Sequence, residues 1–310
     1  MSTGSDLHTG AQDPGPVISG EQLSVRARAE EEVRAQRKER VALLLRRPSF
    51  LLGVLISGFW LVCALFGSAI APQDPAAQDL MSKLADPSAK HWFGTDDLGR
   101  DVFSRVIVGT RVILFVAFGA TLIAAVLGTI IGLAAGYFKG MVDEILMRIA
   151  DVFMSMPTIV FALLITASIK SDSMLVILFI IAVVFTPIIA RTVRASVLGE
   201  AELEYVAAAR LRTENTQHIL FKELLPNVLP SLLVEFTVRL GYAIFAIATL
   251  SFLGAGAGPD SPDWGTQVAN HYKFMNGLNW SATVFPALAI ALLAIGINLI
   301  QDALAEAFER

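Results

Sequence analysis

The chain has 310 residues, 55% of them hydrophobic and 17% charged, with mean hydropathy +0.62 and a formal net charge of −4. Ordinary soluble domains are about 45–50% apolar and about 25% charged, so disordered, collagen-like and ordinary soluble classes are excluded. Cys63 as the sole cysteine excludes a disulfide scaffold, and the charge carries no footprint of nucleic-acid binding.

The apolar excess sits in blocks of about twenty uncharged residues, the pattern of a polytopic membrane protein. Residues 1–20, rich in Gly, Pro, Ser and Asp, read as a disordered tail. Residues 21–47 are helix formers of mixed charge and read as a solvated or membrane-surface helix, with docking as the alternative. The first apolar block begins too late for a cleaved secretory signal, whose apolar part lies within about the first 15–30 residues. Six spans are expected at about 50–71, 107–137, 145–168, 174–194, 229–254 and 281–304. Each needs roughly 20 apolar residues to cross about 30 Å of hydrocarbon.

The first span contains Cys63, read as inert. The second is long enough to project beyond one face or to tilt. Its Gly128, Gly132 and Gly136 form small-xxx-small repeats that favour close helix contact, within the chain or with a second subunit. In the third, Met154 and Met156 beside Pro157 read as core filling around a kink. In the fifth, Glu235 and Arg239 at i, i+4 read as a mutual pair near the interface rather than a proton relay.

Orientation follows from Lys and Arg in the short flanking loops. With the N-terminus inside, Arg37, Lys38, Arg40, Arg46, Arg47, Lys139, Arg148, Arg191, Arg194, Arg210, Arg212 and Lys222 are cytoplasmic. The bias predicts both termini inside and exterior segments at about 72–105 and 255–280. It leaves a large cytoplasmic loop at about 195–228. In that loop Glu202, Glu204, Tyr205, Ala208, Ala209 and Arg212 suit a short helix with a small-residue face. Ile219, Leu220, Leu224 and Leu225 form a second apolar stripe, which Pro226 and Pro230 are expected to break. Such a helix–turn–helix lies on the membrane surface or against a partner; connector and dock remain equally open on these grounds.

The run Tyr205-Val206, Ala208-Ala209-Arg210, then Ile219, then Leu225-Pro226-Asn227 resembles the EAA loop of bacterial ABC-importer permeases. In that family the loop is the coupling helix that seats in the ATP-hydrolysing subunit. The resemblance therefore implies an ATPase-coupling role for Glu204, Tyr205, Ala208, Ala209, Arg210, Thr213, Ile219, Leu225 and Pro226. Two positions depart from it: Thr213 stands where the family has a turn glycine, and Glu223 where it has a basic residue or His.

The exterior run Phe93-Gly94-Thr95-Asp96-Asp97-Leu98-Gly99-Arg100-Asp101 is similar to the signature of the dipeptide/oligopeptide/nickel branch of these permeases. So is Leu250-Ser251-Phe252-Leu253-Gly254 followed by Pro259, Pro262, Trp264 and Gly265. Asp96, Asp97, Arg100 and Asp101 read as a gate-loop lock rather than a substrate or ion gate. If exposed, such pairs are worth about 0–1 kcal/mol. His218 and His271 show no second ligand at metal spacing and read as structural or simply exposed.

The resemblance implies an all-α polytopic membrane protein of about six transmembrane helices, type I importer-like, in a bacterial inner membrane. It implies a second homologous permease chain, two ABC ATPase subunits that bind ATP and Mg, an extracytoplasmic solute-binding protein and a peptide substrate. No phosphate loop, nucleophile elbow or H-E-x-x-H pair occurs in the chain, so no cofactor or ATPase site of its own is expected. A nickel or glutathione permease of the same branch, a proton-coupled secondary carrier and a membrane scaffold are the alternatives.

Overall fold

Proline opens the first helix. Pro48 stands in the first turn of α1 (Pro48–Ile70), where its missing N–H would have been unpaired in any case. The computed structural model describes residues 44–169, 173–275 and 280–309. The tail expected at 1–20 and the charged helix expected at 21–47 lie outside them, apart from residues 44–47. Residues Arg47–Arg310 form one unit. Among the described residues there is no strand, only one isolated bridge between Thr95 and Asp101.

The longer helices that follow among the described residues are α2 (Val102–Phe138), α3 (Gly140–Met154), α4 (Thr158–Ile169), α5 (Met174–Glu200), α6 (Glu204–Leu211), α7 (Leu225–Leu250), α8 (Trp264–His271) and α9 (Ser281–Glu309). On α1, Gly53, Trp60, Cys63, Ala64 and Gly67 face the bundle, while Leu55, Phe59, Leu65 and Phe66 stay exposed on the other side. α2 has 37 residues, about 55 Å at 1.5 Å per residue, so it outruns the hydrocarbon as expected.

The most extensive helix pair is α2 with α5. A Cβ on Gly132 would stand 2.7 Å from the Ala190 carbonyl oxygen, one on Gly128 2.8 Å from Ile189 Cβ, and one on Gly136 2.7 Å from Val197 Cγ1. The glycine repeat therefore serves contact within the chain, where dispersion between close backbones replaces a hydrophobic driving force.

The third expected span is not one helix. α3 and α4 meet at 82°, because Pro157 cannot donate its N–H and disfavours helical geometry in the residue before it. Met154 and Met156 beside the break are 37% and 38% exposed, so they do not fill a core.

Together the two halves are long and apolar enough to count as one candidate span. Lys139 pairs with Glu202, which puts the end of α2 on the same face as the end of α5. α5, at 27 residues, is about 40 Å long and starts at its far end from Glu202. α3 climbs along α5 through the pairs Asp143–Arg194 and Asp151–Arg191. Among the described residues five helices are singly long and apolar enough to cross a membrane, and the bent pair taken as one span makes six. Arg47 pairs with Glu306, bringing the two ends of this unit to one face as an even number requires.

Pro226 and Pro230 do not break the chain. Thr216–His218, a π turn over Ile219–Leu224, α7 and a second π segment that begins at Ser251 follow one another as a helical run that kinks at Gly254 (φ +85°). The wide turn sits where the proline ring would crowd the preceding carbonyl.

Candidate functional site

The loop after α5 folds back as a short elbow. Glu204 in the first turn of α6 and Arg210 in the last match the helix dipole. Val206 and Ala209, three apart, are fully buried against the chain. Tyr205 is half-buried, and its hydroxyl donates to Glu200 Oε2 at 2.8 Å. Burial, and then the bond to Glu200, push its pKa up to about 12. The Arg210 guanidinium lies 5.1 Å over the Tyr137 ring at the inner end of α2. Glu202 precedes the helix, and the hydrogen bond from Lys139 lowers its carboxyl pKa.

The small-residue face expected at Ala208 and Ala209 is divided. Ala209 points into the chain, whereas Ala208 is exposed beside Ala207. The outer face carries Leu203, 47% exposed, and Leu211, 86% exposed. With Ala207 these follow i, i+4, i+8 spacing, a continuous apolar stripe.

α6 ends in a Schellman motif. The Glu214 N–H donates to Ala209 O at 3.3 Å and the Thr213 N–H to Arg210 O at 3.0 Å. Thr213 sits at C′ with φ +56°, the left-handed position that glycine normally takes. The turn glycine is thus absent while its geometry is kept, at the cost of strain in a β-branched residue. Beyond it the Asn215 side chain caps the next helical segment by accepting from Gln217 N at 3.3 Å. Arg212 Nε donates to Glu214 Oε1 at 2.7 Å, and Glu223 lies 3.7 Å from Arg212. Ile219 and Leu224 are buried, Leu225 is half-buried, and Pro226 is exposed.

On the opposite face, residues 72–101 fold into a cap. Gly94 (φ +76°) and Gly99 (φ +74°) turn the chain tightly; a Cβ on Gly99 would lie 1.9 Å from Asp79 O. Asp96 Oδ1 accepts from Leu98 N and Arg100 N, both at 2.9 Å, and Asp96 Oδ2 from Arg100 Nε at 2.6 Å. Arg100 also reaches Asp260 at 3.2 Å. Asp101 caps α2 by accepting from Ser104 N at 2.8 Å and receives His91 Nδ1 at 2.9 Å. Phe93 stacks on Phe285 with centroids 3.7 Å apart.

Of the four charges only Asp97 reaches the surface, its side chain 38% exposed. Thr95, Asp96, Arg100 and Asp101 are all buried, so the surface-pair value does not apply, and removing one partner leaves an uncompensated buried charge. Arg105, Asp260, Gln267 and Trp264 complete the cap and were missed as site residues. Arg105 donates to Ser261 O at 2.9 Å, and Trp264 Nε1 to Val106 O at 2.8 Å. The available signal for Arg105 was a cation four residues after a helix-capping Asp. His271 is buried, not exposed, with Nε2 3.0 Å from Asp97 Oδ1. In the membrane, Glu235 and Arg239 pair at 2.5 Å. A cavity of 470 Å³ between α7 and α9 is lined by Tyr242, Asn298, Gln301 and Asp302 among others.

Residues 128–310 match the family described as binding-protein-dependent transport system inner membrane component. The dipeptide transport system permease protein DppC of Alkalihalophilus pseudofirmus is 36% identical over 84% of this chain and 84% of its own length. The probable D,D-dipeptide transport system permease protein DdpC of Escherichia coli is 34% identical over 89% of this chain and 92% of its own. The glutathione transport system permease protein GsiD of Pectobacterium atrosepticum is 39% identical over 72% of this chain and 73% of its own. Among solved structures, an inward-facing MetNI methionine ABC transporter is similar at a TM-score of 0.48 and 23% identity, over 64% of this chain and 94% of that one.

Proposed function

Because this chain belongs to the family of binding-protein-dependent transport system inner membrane components, we propose that it is a permease subunit of an ATP-driven importer of dipeptides or oligopeptides. The observation that carries the reading is the elbow: a helix locked to its own chain by Val206 and Ala209 and presenting an apolar stripe on its other side. An apolar stripe in the aqueous phase needs a partner to cover it. In this reading the partners are two ATPase subunits, which bind ATP and Mg and do the hydrolysis. A second homologous permease chain completes the pathway, and an extracytoplasmic solute-binding protein delivers the peptide.

The mechanism is alternating access by rigid-body displacement. Closure of the ATPase pair pushes the elbow, and the helical run that leads from Thr216 through α7 to the kink at Gly254 transmits the push across the membrane. Its far end packs against the cap: a Cβ on Gly265 would lie 2.4 Å from the Ala248 oxygen, and one on Gly256 2.8 Å from Thr266 Oγ1. The cap is tied internally by Asp96–Arg100, so it moves as a block.

The test is uptake of labelled dipeptide by vesicles holding the reconstituted complex. Uptake that requires ATP and the solute-binding protein supports the reading. Uptake by this chain alone, driven by a proton gradient, overturns it. Glutathione is the second reading, on the strength of the GsiD relative, and competition between glutathione and dipeptide in the same vesicles separates the two.

A further inference from the structure

Arg111 lies on the exposed side of α2, inside its membrane-spanning stretch, and among the described residues no hydrogen bond, ion pair or ring contact engages its guanidinium. The group is charged at any ordinary pH, and a charge at membrane depth calls for a counter-charge. Its depth follows from its neighbours. A Cβ on Gly67 would lie 3.2 Å from Ile107 O, so Ile107 is level with Gly67, close to the outer end of α1 at Ile70. Arg111, one turn further in, is about 10 Å below that end. α1 has 23 residues, about 35 Å against about 30 Å of hydrocarbon. Arg111 is therefore in the outer leaflet, at a depth from which an arginine extends to the headgroup layer.

Two kinds of surface meet at this arginine. Beside it, Gly67, Ser68 and Val108 line a depression of 30 Å³ between α1 and α2, roomy enough for a phosphate oxygen or a water. The Ser68 side chain is exposed there and has no hydrogen-bond partner among the described residues. Inward of it, Phe115, Phe118 and Leu122 follow Arg111 at i+4, i+7 and i+11, one face of the helix. All three are exposed, Phe115 at 63%, and Leu65 of α1, at the rim of the depression, is 67% exposed. The acids of the exterior cap are already engaged, Asp96 and Asp260 by Arg100 and Asp101 by His91.

We propose that Arg111 binds the phosphate of an anionic phospholipid in the outer leaflet, with Ser68 as a second donor and an acyl chain along Phe115, Phe118 and Leu122. A guanidinium gives a phosphate two parallel N–H bonds, which gain strength where water is scarce. One phospholipid supplies both complements at once, a negative head at the level of the arginine's tip and an apolar tail below it. Free phosphate supplies only the first, and an apolar protein face only the second. Phosphatidylglycerol suits the site better than phosphatidylcholine, whose own trimethylammonium cancels the charge of its phosphate. The lipid fills the groove between α1 and α2 and ties the first span to the bundle near the cap. The site stands independently of the solute carried and of the ATPase dock.

The test uses the assembled complex, stripped of lipid in detergent and titrated with phosphatidylglycerol under native mass spectrometry. The wild type should retain one more phosphatidylglycerol per copy of this chain than Arg111→Gln. The variant's affinity at this position should fall about tenfold, the worth of one charged hydrogen bond. Arg111→Lys, a point charge without the fork, should fall between the two. Phosphatidylcholine should be held more weakly, and millimolar glycerophosphate, a headgroup without tails, should not displace the lipid. Arg111→Gln removes a charge from the bilayer and should assemble normally. Equal retention by wild type and Arg111→Gln overturns the site. So does displacement by glycerophosphate, which would leave a free-phosphate site, or loss of the second permease chain from Arg111→Gln, which would place an acid of that chain on the arginine.

Discussion

Asp96 and Arg100 form a buried pair, Oδ2 to Nε at 2.6 Å, with each side chain less than 5% exposed. Asp96→Asn leaves the guanidinium buried with weaker compensation and should destabilise by about 3–5 kcal/mol. Asp96→Asn with Arg100→Met should cost less than Asp96→Asn alone, because the one guanidinium left beside the lost carboxylate, Arg105, keeps the Pro75 and Ser261 carbonyl oxygens as acceptors. Thermal unfolding of the purified complex measures both. An equal loss in single and double variants would show that the pair's charges are not coupled.

Ala208 and Ala209 are neighbours with opposite fates. Ala209→Asp puts a carboxylate at a fully buried position and should reduce the amount of assembled chain in the membrane. Ala208→Asp should leave assembly intact and cut ATP-dependent uptake at least tenfold, if the exposed face is the ATPase dock. Immunoblots of membranes beside uptake assays separate the two effects. Normal uptake by Ala208→Asp counts against the dock.

Thr213 holds φ +56°. Replacing it with glycine should relieve about 1 kcal/mol of backbone strain, read as a higher unfolding midpoint. Thr213→Val, equally β-branched but unable to donate to Arg212 O, should be no better than wild type.

Gly132 lies against Ala190 and Val193. Gly132→Val should force α2 from α5 and cost more than 2 kcal/mol, in line with overpacking a tight interface. Limited proteolysis of the membrane-inserted chain would report the loosened bundle.

Tyr205 has its pKa raised from 10.0 to about 12. A raised folded value means the contribution is intact below pH 10 and is lost as pH rises through about 12. Spectroscopic titration should therefore find one tyrosine that ionises late, and Tyr205→Phe should remove it. Tyr205→Phe should also cost about 1.5–3 kcal/mol, the range for hydrogen bonds to a charged group.

Most of the helical framework was legible, because blocks of apolar residues bounded by Lys, Arg, Pro and Gly can do little else in a bilayer. The break at Pro157 was visible as a proline but not as an 82° bend, since the angle depends on how α3 and α4 pack. The cap was misread. Asp96 and Arg100 look like surface residues in a linear chain, and the group that completes Arg100, Asp260, lies 160 positions away. His271 and Asp97 are 174 apart, so no local spacing rule could join them. At the elbow the 3.6-residue period could have separated Ala208 from Ala209, but both are small and periodicity has little contrast to work on.

The π turn over Ile219–Leu224 holds one residue more than an α-helical ladder would. Deleting a single residue there would convert it to ordinary α geometry and swing the whole elbow about 100° around the axis of α7. The outer stripe of Leu203, Ala207 and Leu211 would then face a different neighbour without any change in its own sequence. A spare residue in the shaft thus sets the angle at which the handle is gripped.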